Sequence, residues 1–184
     1  MLVPAQLYKE EIKRELTARW YDDKYQWYFA GWKEETTIGD NANYRKDFAY
    51  IDNDNKLAGF FSYGFNETDK SMSQFGLIGF KDNNIPFVHE VLSHVKSMFR
   101  CGIAQRAEIW AFADNPVCKL YRRFVKQYNG TQVAYCHRTS YFNGRYHDSI
   151  AWEWLVEDFR KAVNAKTYNQ CHDFGNISEY QDIG

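Results

Sequence analysis

Between Val88 and Phe99 the apolar residues Val88, Val91, Leu92, Val95, Met98 and Phe99 fall at i, i+3, i+4, i+7, i+10 and i+11. That spacing lines one face of an α-helix. Near the N-terminus Tyr8, Ile12, Leu16 and Trp20 recur every fourth residue among Lys, Glu and Arg, and predict a first helix from Pro4 to Trp20. Tyr25, Tyr28, Phe29 and Trp32 suggest a second, aromatic helix before the polar loop Glu34 to Asn43. The period then changes. Arg45 to Ile51 and Leu57 to Phe65 read as strands joined by the polar turn Asp52 to Lys56, and Ser71 to Phe80 reads as a third. Arg106 to Phe112 is a short strand. Asp114-Asn115-Pro116 then supplies a cap residue followed by proline, the start of a helix whose buried stripe is Val117, Leu120, Tyr121, Phe124 and Val125. Thr131 to Phe142 and Arg145 to Trp154 form a hairpin across Asn143-Gly144. The order of elements is α+β with a mixed central sheet, not a regular βαβ repeat.

A chain of 184 residues is most economically one domain, expected here over residues 1–155 with a polar extension over 156–184. Lys plus Arg (23) against Asp plus Glu (24) leaves a net charge of −1, so no global field recruits nucleic acid or an anionic membrane. His137, Arg138, Tyr141, Arg145 and Tyr146 are basic and aromatic residues near the last hairpin, but with that charge balance they do not outweigh the reading of no nucleic-acid partner. No stretch approaches the roughly 18 consecutive apolar residues of a membrane span. Four cysteines without a C-x-x-C pair, and an N-terminus without an apolar signal core, read as a reduced, cytoplasmic protein. Aromatic residues at 18% suit either a thick core or a ligand-lined cleft. His89 and His94 do not make a zinc motif, because residues five apart lie about 140° from each other on a helix. No metal is expected.

The segment MFRCGIAQRAEIWAFADNPVCKLYRRF, followed by GRYHDSIAWEWLVEDF, resembles the GNAT superfamily of N-acetyltransferases, nearest to its ribosomal-protein N-terminal acetyltransferase branch. In that branch a strand ends at an Asn, a helix carries Leu-Tyr six residues on, and a Gly-x-Tyr-x-Asp hairpin opens the last strand. Asn115, Tyr121 and Gly144 to Asp148 stand at those positions. The element order extends the resemblance to residues 7–154, while the motifs cover only the second part of the chain. The resemblance implies a mostly antiparallel sheet flanked by helices, and acetyl-CoA as co-substrate lying against the strand Gln74 to Phe80 through Ile78 and Phe80. It implies a primary amine as acceptor, a small molecule or a peptide, and leaves room for a homodimer.

The sequence departs from the family at the loop that should hold the CoA pyrophosphate. Family members carry glycines there, whereas this chain has Lys81-Asp82-Asn83-Asn84-Ile85-Pro86-Phe87, with no glycine, one donor lost at Pro86 and a negative charge at Asp82. Lys81, Asn83, Asn84 and Ile85 are the residues left to meet the phosphates. This loop supports a second reading, a GNAT-shaped binding protein without catalysis.

Direct transfer needs a neutral amine, a polarised thioester and a proton for the departing thiolate. Tyr121 resembles the family's general acid, set against its place in the core stripe of its own helix. Asn115 is a candidate pantetheine contact as well as a helix cap, and Lys119 a candidate phosphate contact as well as a solvated lysine. Glu108, on the strand expected to border the acceptor, is a candidate base as well as an ordinary salt-bridged glutamate. Tyr28 and Trp32 are expected to wall the acceptor side, where rings favour an apolar or planar body beside the amine.

Overall fold

Alternate residues of the strand Arg45–Ile51 point to two different cores, and this division organises the molecule. The structure, a computed structural model, describes residues 1–19, 38, 44–82 and 84–164. In chain order it holds β1 (Leu2–Pro4), a 3-10 turn (Ala5–Tyr8), α1 (Lys9–Ala18), β2 (Arg45–Ile51), β3 (Leu57–Asn66), β4 (Ser71–Gly79) and α2 (Ile85–Arg100). There follow β5 (Arg106–Phe112), α3 (Cys118–Gln127), β6 (Thr131–Phe142) and β7 (Arg145–Leu155), and the chain is helical again over residues 156–164. The strands form one mixed sheet in the order β1-β2-β3-β4-β5-β7-β6, and every neighbouring pair is antiparallel except β4 with β5.

On one face Ala49, Ile51, Phe60 and Ile78 pack with Ile12 of α1. On the other, Tyr50, Phe61 and Tyr63 pack with Phe87, Val91, Val95 and Phe99 of α2 and with Tyr121 and Phe124 of α3. The helix expected from Pro4 starts late, because Pro4 ends β1 and Ala5–Tyr8 form a 3-10 turn. Leu2–Pro4 pairs with Phe48–Tyr50, the N-terminal ammonium donates to Ile51 O at 2.9 Å, and α1 proper begins only at Lys9. The expected second helix lies outside the described residues. Past residue 155, Val156, Phe159 and Ala162 are buried in the larger core, with the Phe159 ring 5.3 Å from Phe99 and 5.2 Å from Tyr128.

Two close approaches depend on glycine. At Gly59 of β3 a Cβ would lie 3.0 Å from the Phe87 ring, so the missing side chain lets α2 settle on the strand. At Gly130 a Cβ would meet the Trp154 indole at 2.6 Å and Glu153 O at 2.8 Å. The Trp154 Nε1 packed there has no hydrogen-bond partner among the described residues. The hairpin turn Asn143-Gly144 has φ of 50° and 75°, the left-handed pair that a two-residue turn requires.

Under α2, Phe48, Phe61, Tyr63 and Phe75 form a sheet of rings, with Phe61 and Tyr63 each about 6 Å from Phe75. His94 lies against it, its Nε2 3.1 Å from the Tyr63 hydroxyl. Burial among these rings lowers the His94 pKa from its usual value, and burial raises that of Tyr63 to about 12.

Two predictions follow from this packing. Gly130→Ala forces the indole or the Glu153 backbone to move, and its expected cost is about 1–3 kcal/mol of unfolding free energy, read by urea denaturation. For His94 the folded state favours the neutral ring, so the unfolded chain binds the extra proton as pH falls below the unperturbed value of ~6.5. Stability should therefore decrease from pH 8 to pH 5.5, and His94→Phe should reduce that slope; an unchanged slope in the variant would place the titration elsewhere.

A candidate active site at the splayed strands

The parallel join between β4 and β5 consists of two residue pairs, Ser71 with Arg106 and Met72 with Ala107. Beyond them the strands diverge. The cause lies in β4: Gly64 pairs with Ser73 and Ser62 with Gly76, so Gln74 and Phe75 stand opposite the single residue Tyr63, and Gln74 takes φ 51°. This is a β-bulge, which bends and twists the strand that carries it. It peels β4 away from β5 and leaves a cleft between the two halves of the sheet.

The ladder on the other side of β4 shows which backbone groups face the cleft. Phe80 N–H donates to Ala58 O of β3 at 2.9 Å. In an antiparallel ladder hydrogen-bonded and non-bonded pairs alternate, so Ile78 also points to β3, while Leu77 presents its N–H and C=O to the cleft. Ile78 and Phe80 have their side chains buried in the smaller core with α1. Leu77 and Phe75 lie in the strand Gln74 to Phe80 expected to face CoA but were not singled out from sequence, and the side chains of both line the same cleft. Simple alternation along the strand could have offered them, but the bulge shifts the phase at the point that matters.

At the cleft's open end stands the N-terminus of α2. Its cap is Asn84, whose Oδ1 accepts from Phe87 N at 3.3 Å while Nδ2 donates to Ala58 O at 2.8 Å. Pro86 has no N–H and the Val88 N–H is already in the helix, bonded to Asn84 O at 3.4 Å. Among the described residues at this helix end, Asn84 N–H and Ile85 N–H are the donors left. Lys81 is ion-paired with Asp52 of the β2–β3 turn. Asp52 Oδ1 also accepts from Asp54 N and Lys56 N, each at 2.9 Å. The Lys81 hydrogen bond first, and these backbone donors with it, bring the Asp52 pKa down to about 2, and the same pair raises that of Lys81. Asn83 lies outside the described residues.

On the far wall, α3 is entered through a tight turn. Asn115 Oδ1 accepts from Val117 N at 3.0 Å and Cys118 N closes on Asn115 O at 3.0 Å. Asn115 thus caps the turn before the helix, and α3 proper starts two residues after Pro116. The carbonyl half of its side chain is occupied, and the amide Nδ2 carries no hydrogen bond among the described residues. Tyr121 is 5% exposed, with its ring edge-on to Trp152 at 5.7 Å. Lys119 lies exposed on the outer face of the same helix.

Glu108 lies on the opposite face of β5 from the residues that meet Tyr121, since Ala107, Ile109 and Ala111 alternate with it into the α2–α3 core. Its carboxylate takes hydrogen bonds from Arg106 and, at 2.6 Å, from Trp110 Nε1. Arg106 also bridges to Glu153, the residue opposite Glu108 on β7. The structure therefore brings Tyr121 together with Phe75 and Leu77 of β4 at one cleft and holds Glu108 in an ion-pair network on the other side of the sheet. Tyr28 and Trp32 lie outside the described residues.

No protein-family model matches the chain, and no curated protein sequence matches it. Solved structures do. The spermidine/spermine N-acetyltransferase SpeG from Vibrio cholerae superposes with a TM-score of 0.55 at 15% identity, over 83% of this chain and 77% of that one. The V. cholerae spermidine N-acetyltransferase bound to CoA and spermine gives 0.54 at 15% identity, over 82% and 76%. RimL, a ribosomal alpha-N-protein acetyltransferase bound to CoA, gives 0.50 at 18%, over 62% and 64%. The fold is that of the GNAT acetyltransferases. Within that GNAT fold, the cleft of this chain combines an open β4 edge with an N-terminal helix turn that has few free donors.

The loop makes a prediction. Asp52→Asn keeps the acceptor for the two turn amides while releasing Lys81 from its carboxylate. An added unpaired cation beside a helix N-terminus is worth on the order of 1 kcal/mol to an anion at low ionic strength. CoA should bind Asp52→Asn about fivefold more tightly than wild type by calorimetry in low salt, with the gain fading at high salt. Equal affinities at low salt would mean that Lys81 does not reach the anion.

Proposed function

We infer that the chain is an N-acetyltransferase that moves an acetyl group from acetyl-CoA to a primary amine by direct attack. The observation that carries this reading is the cleft between β4 and β5. It joins unladdered backbone groups at Leu77, suited to an amide-bearing pantetheine arm, to a buried tyrosine at Tyr121 on the facing helix. Asn115 is assigned a pantetheine carbonyl through its Nδ2, and Ile85 N–H with Lys81 the phosphates.

In the proposed reaction an amine, deprotonated from its usual pKa near ~10.4, attacks the thioester carbonyl and forms a C–N bond. The tetrahedral intermediate then collapses with cleavage of the C–S bond. Tyr121 gives its hydroxyl proton to the departing thiolate, and the proton lost by the amine returns to the tyrosinate through solvent. Glu108 receives no proton-transfer role in this reading because its carboxylate is held by Arg106 and Trp110. The acceptor class rests on the fold alone, and the polyamine and the peptide N-terminus named for the superposed enzymes are the first compounds to assay.

One observation favours a second reading, a binding protein of the same fold without catalysis: the first turn of α2 lacks a donor at Pro86, its Phe87 N–H is taken by Asn84, and Lys81 is paired with Asp52. Acetyl-CoA separates the two. Under the enzymatic reading it stabilises the protein by mass action and releases free thiol in the presence of a suitable amine. Tyr121→Phe keeps the ring and its packing, so its melting temperature should stay within a degree or two of wild type. Its turnover should fall by ~10²–10⁴, the usual contribution of a general acid. Full activity in Tyr121→Phe across the pH profile would reduce Tyr121 to a core residue, and no stabilisation at millimolar acetyl-CoA would favour the binding protein.

A further inference from the structure

The cleft does not close where the β4–β5 ladder begins. A hollow of about 20 Å³ continues inward between the diverging strands and beneath the two helices, lined among others by Leu77, Val91, Val95, Ala107, Ile109 and Tyr121. Ala107 belongs to the last pair that joins the two strands, so the hollow starts at the apex of the splay. A space of ~10–15 Å³ on this measure holds one water, and water enters only where it finds polar partners. The residues lining this hollow are aliphatic and aromatic, and no charged side chain is among them. It suits carbon.

We propose that this hollow is an acyl pocket, and that the preferred donor carries a chain one or two carbons longer than acetyl, propionyl-CoA or butyryl-CoA. The inference rests on the CoA reading above. A thioester held along the β4 edge, with Tyr121 at its sulfur, directs its acyl group toward the apex, where this hollow lies. The space admits one or two further carbon atoms beyond a methyl group. The chemistry is unchanged: the same C–N bond forms, the same C–S bond breaks, and Tyr121 returns the same proton.

Burial of each added methylene contributes about fourfold in affinity. Calorimetry on the full chain with CoA, acetyl-CoA, propionyl-CoA, butyryl-CoA and hexanoyl-CoA needs no knowledge of the acceptor. Expected is a Kd about fourfold lower for propionyl-CoA than for acetyl-CoA, a further decrease or a plateau at butyryl-CoA, and weaker binding of hexanoyl-CoA. Val91→Ile adds one methylene to the wall; it should leave acetyl-CoA affinity unchanged and weaken butyryl-CoA at least tenfold. Val95→Ala enlarges the space and should bring hexanoyl-CoA up to the wild-type affinity for butyryl-CoA, so that either variant suffices should the other fail to fold. If acetyl-CoA binds tightest, or if chain length and both wall variants leave the order unaltered, the pocket is a packing gap and the proposal fails while the CoA reading stands. If none of the thioesters binds, both fail together.

Discussion

Two residue pairs hold the halves of this sheet together, and the bulge that follows them sets the geometry of everything nearby. Because Gln74 and Phe75 stand opposite one residue of β3, β4 bends just after Met72 and its ladder with β5 ends. A parted ladder deep in a protein leaves main-chain groups that need partners, and an unpaired buried group costs about as much as a lost hydrogen bond. The fold answers with packing on the helix side, where α2 and α3 lower side chains into the gap, and leaves the strand edge for a ligand. The same bulge aims the Phe75 ring at Phe61 and Tyr63, so the aromatic sheet under α2 and the opening of the cleft have one origin.

The strands were legible because aromatic and β-branched residues mark them. Arg45–Ile51, Arg106–Phe112 and Thr131–Phe142 agree with the sequence reading residue for residue, and Asn143-Gly144 takes the turn it predicts. The bulge was not legible. Gln74 adopts a left-handed backbone without the glycine that usually signals one, so nothing in the sequence marks the irregularity after which Phe75 and Leu77 turn their side chains to the cleft. The partner of Lys81 was equally hidden, because Asp52 is 29 residues away and meets it only once β2, β3 and β4 are laid side by side. Asn115 was readable as both cap and contact, and in the structure the two halves of its amide can serve both, the oxygen closing the turn and the nitrogen left over. The basic face of α3 gave no means of separating Lys119 from its neighbours.

Several charged side chains among the described residues are paired with one another, which shapes how a ligand can bind. Arg106 is shared by Glu108 and Glu153, Lys81 is held by Asp52, and Arg145 pairs with Asp114. Exposed pairs of this kind contribute little to stability. The pair with Asp52 does occupy Lys81, so an anionic ligand at the α2 N-terminus meets a lysine already held by a carboxylate and a turn in which Pro86 has no N–H, where glycine-rich loops offer several donors.

Binding free energy in such a cleft has to come from its other parts. Under the proposed function the pantetheine arm completes the unladdered edge of β4, and each main-chain hydrogen bond made there contributes about 1 kcal/mol net. The acyl end buries carbon at about 25 cal/mol per Å². Neither contribution is sensitive to salt, whereas a phosphate held by several cations loses affinity steeply as ionic strength rises. On that reading a chain with this loop selects its donor by the thioester end more than by the nucleotide end, and the residue that matters most to that end is Tyr121. Its ring is held edge-on to Trp152 and packed among the α2 and α3 core residues. Under the proposed function, an acid placed in the core makes the chemical step depend on the same apolar contacts that hold the two halves of the sheet together.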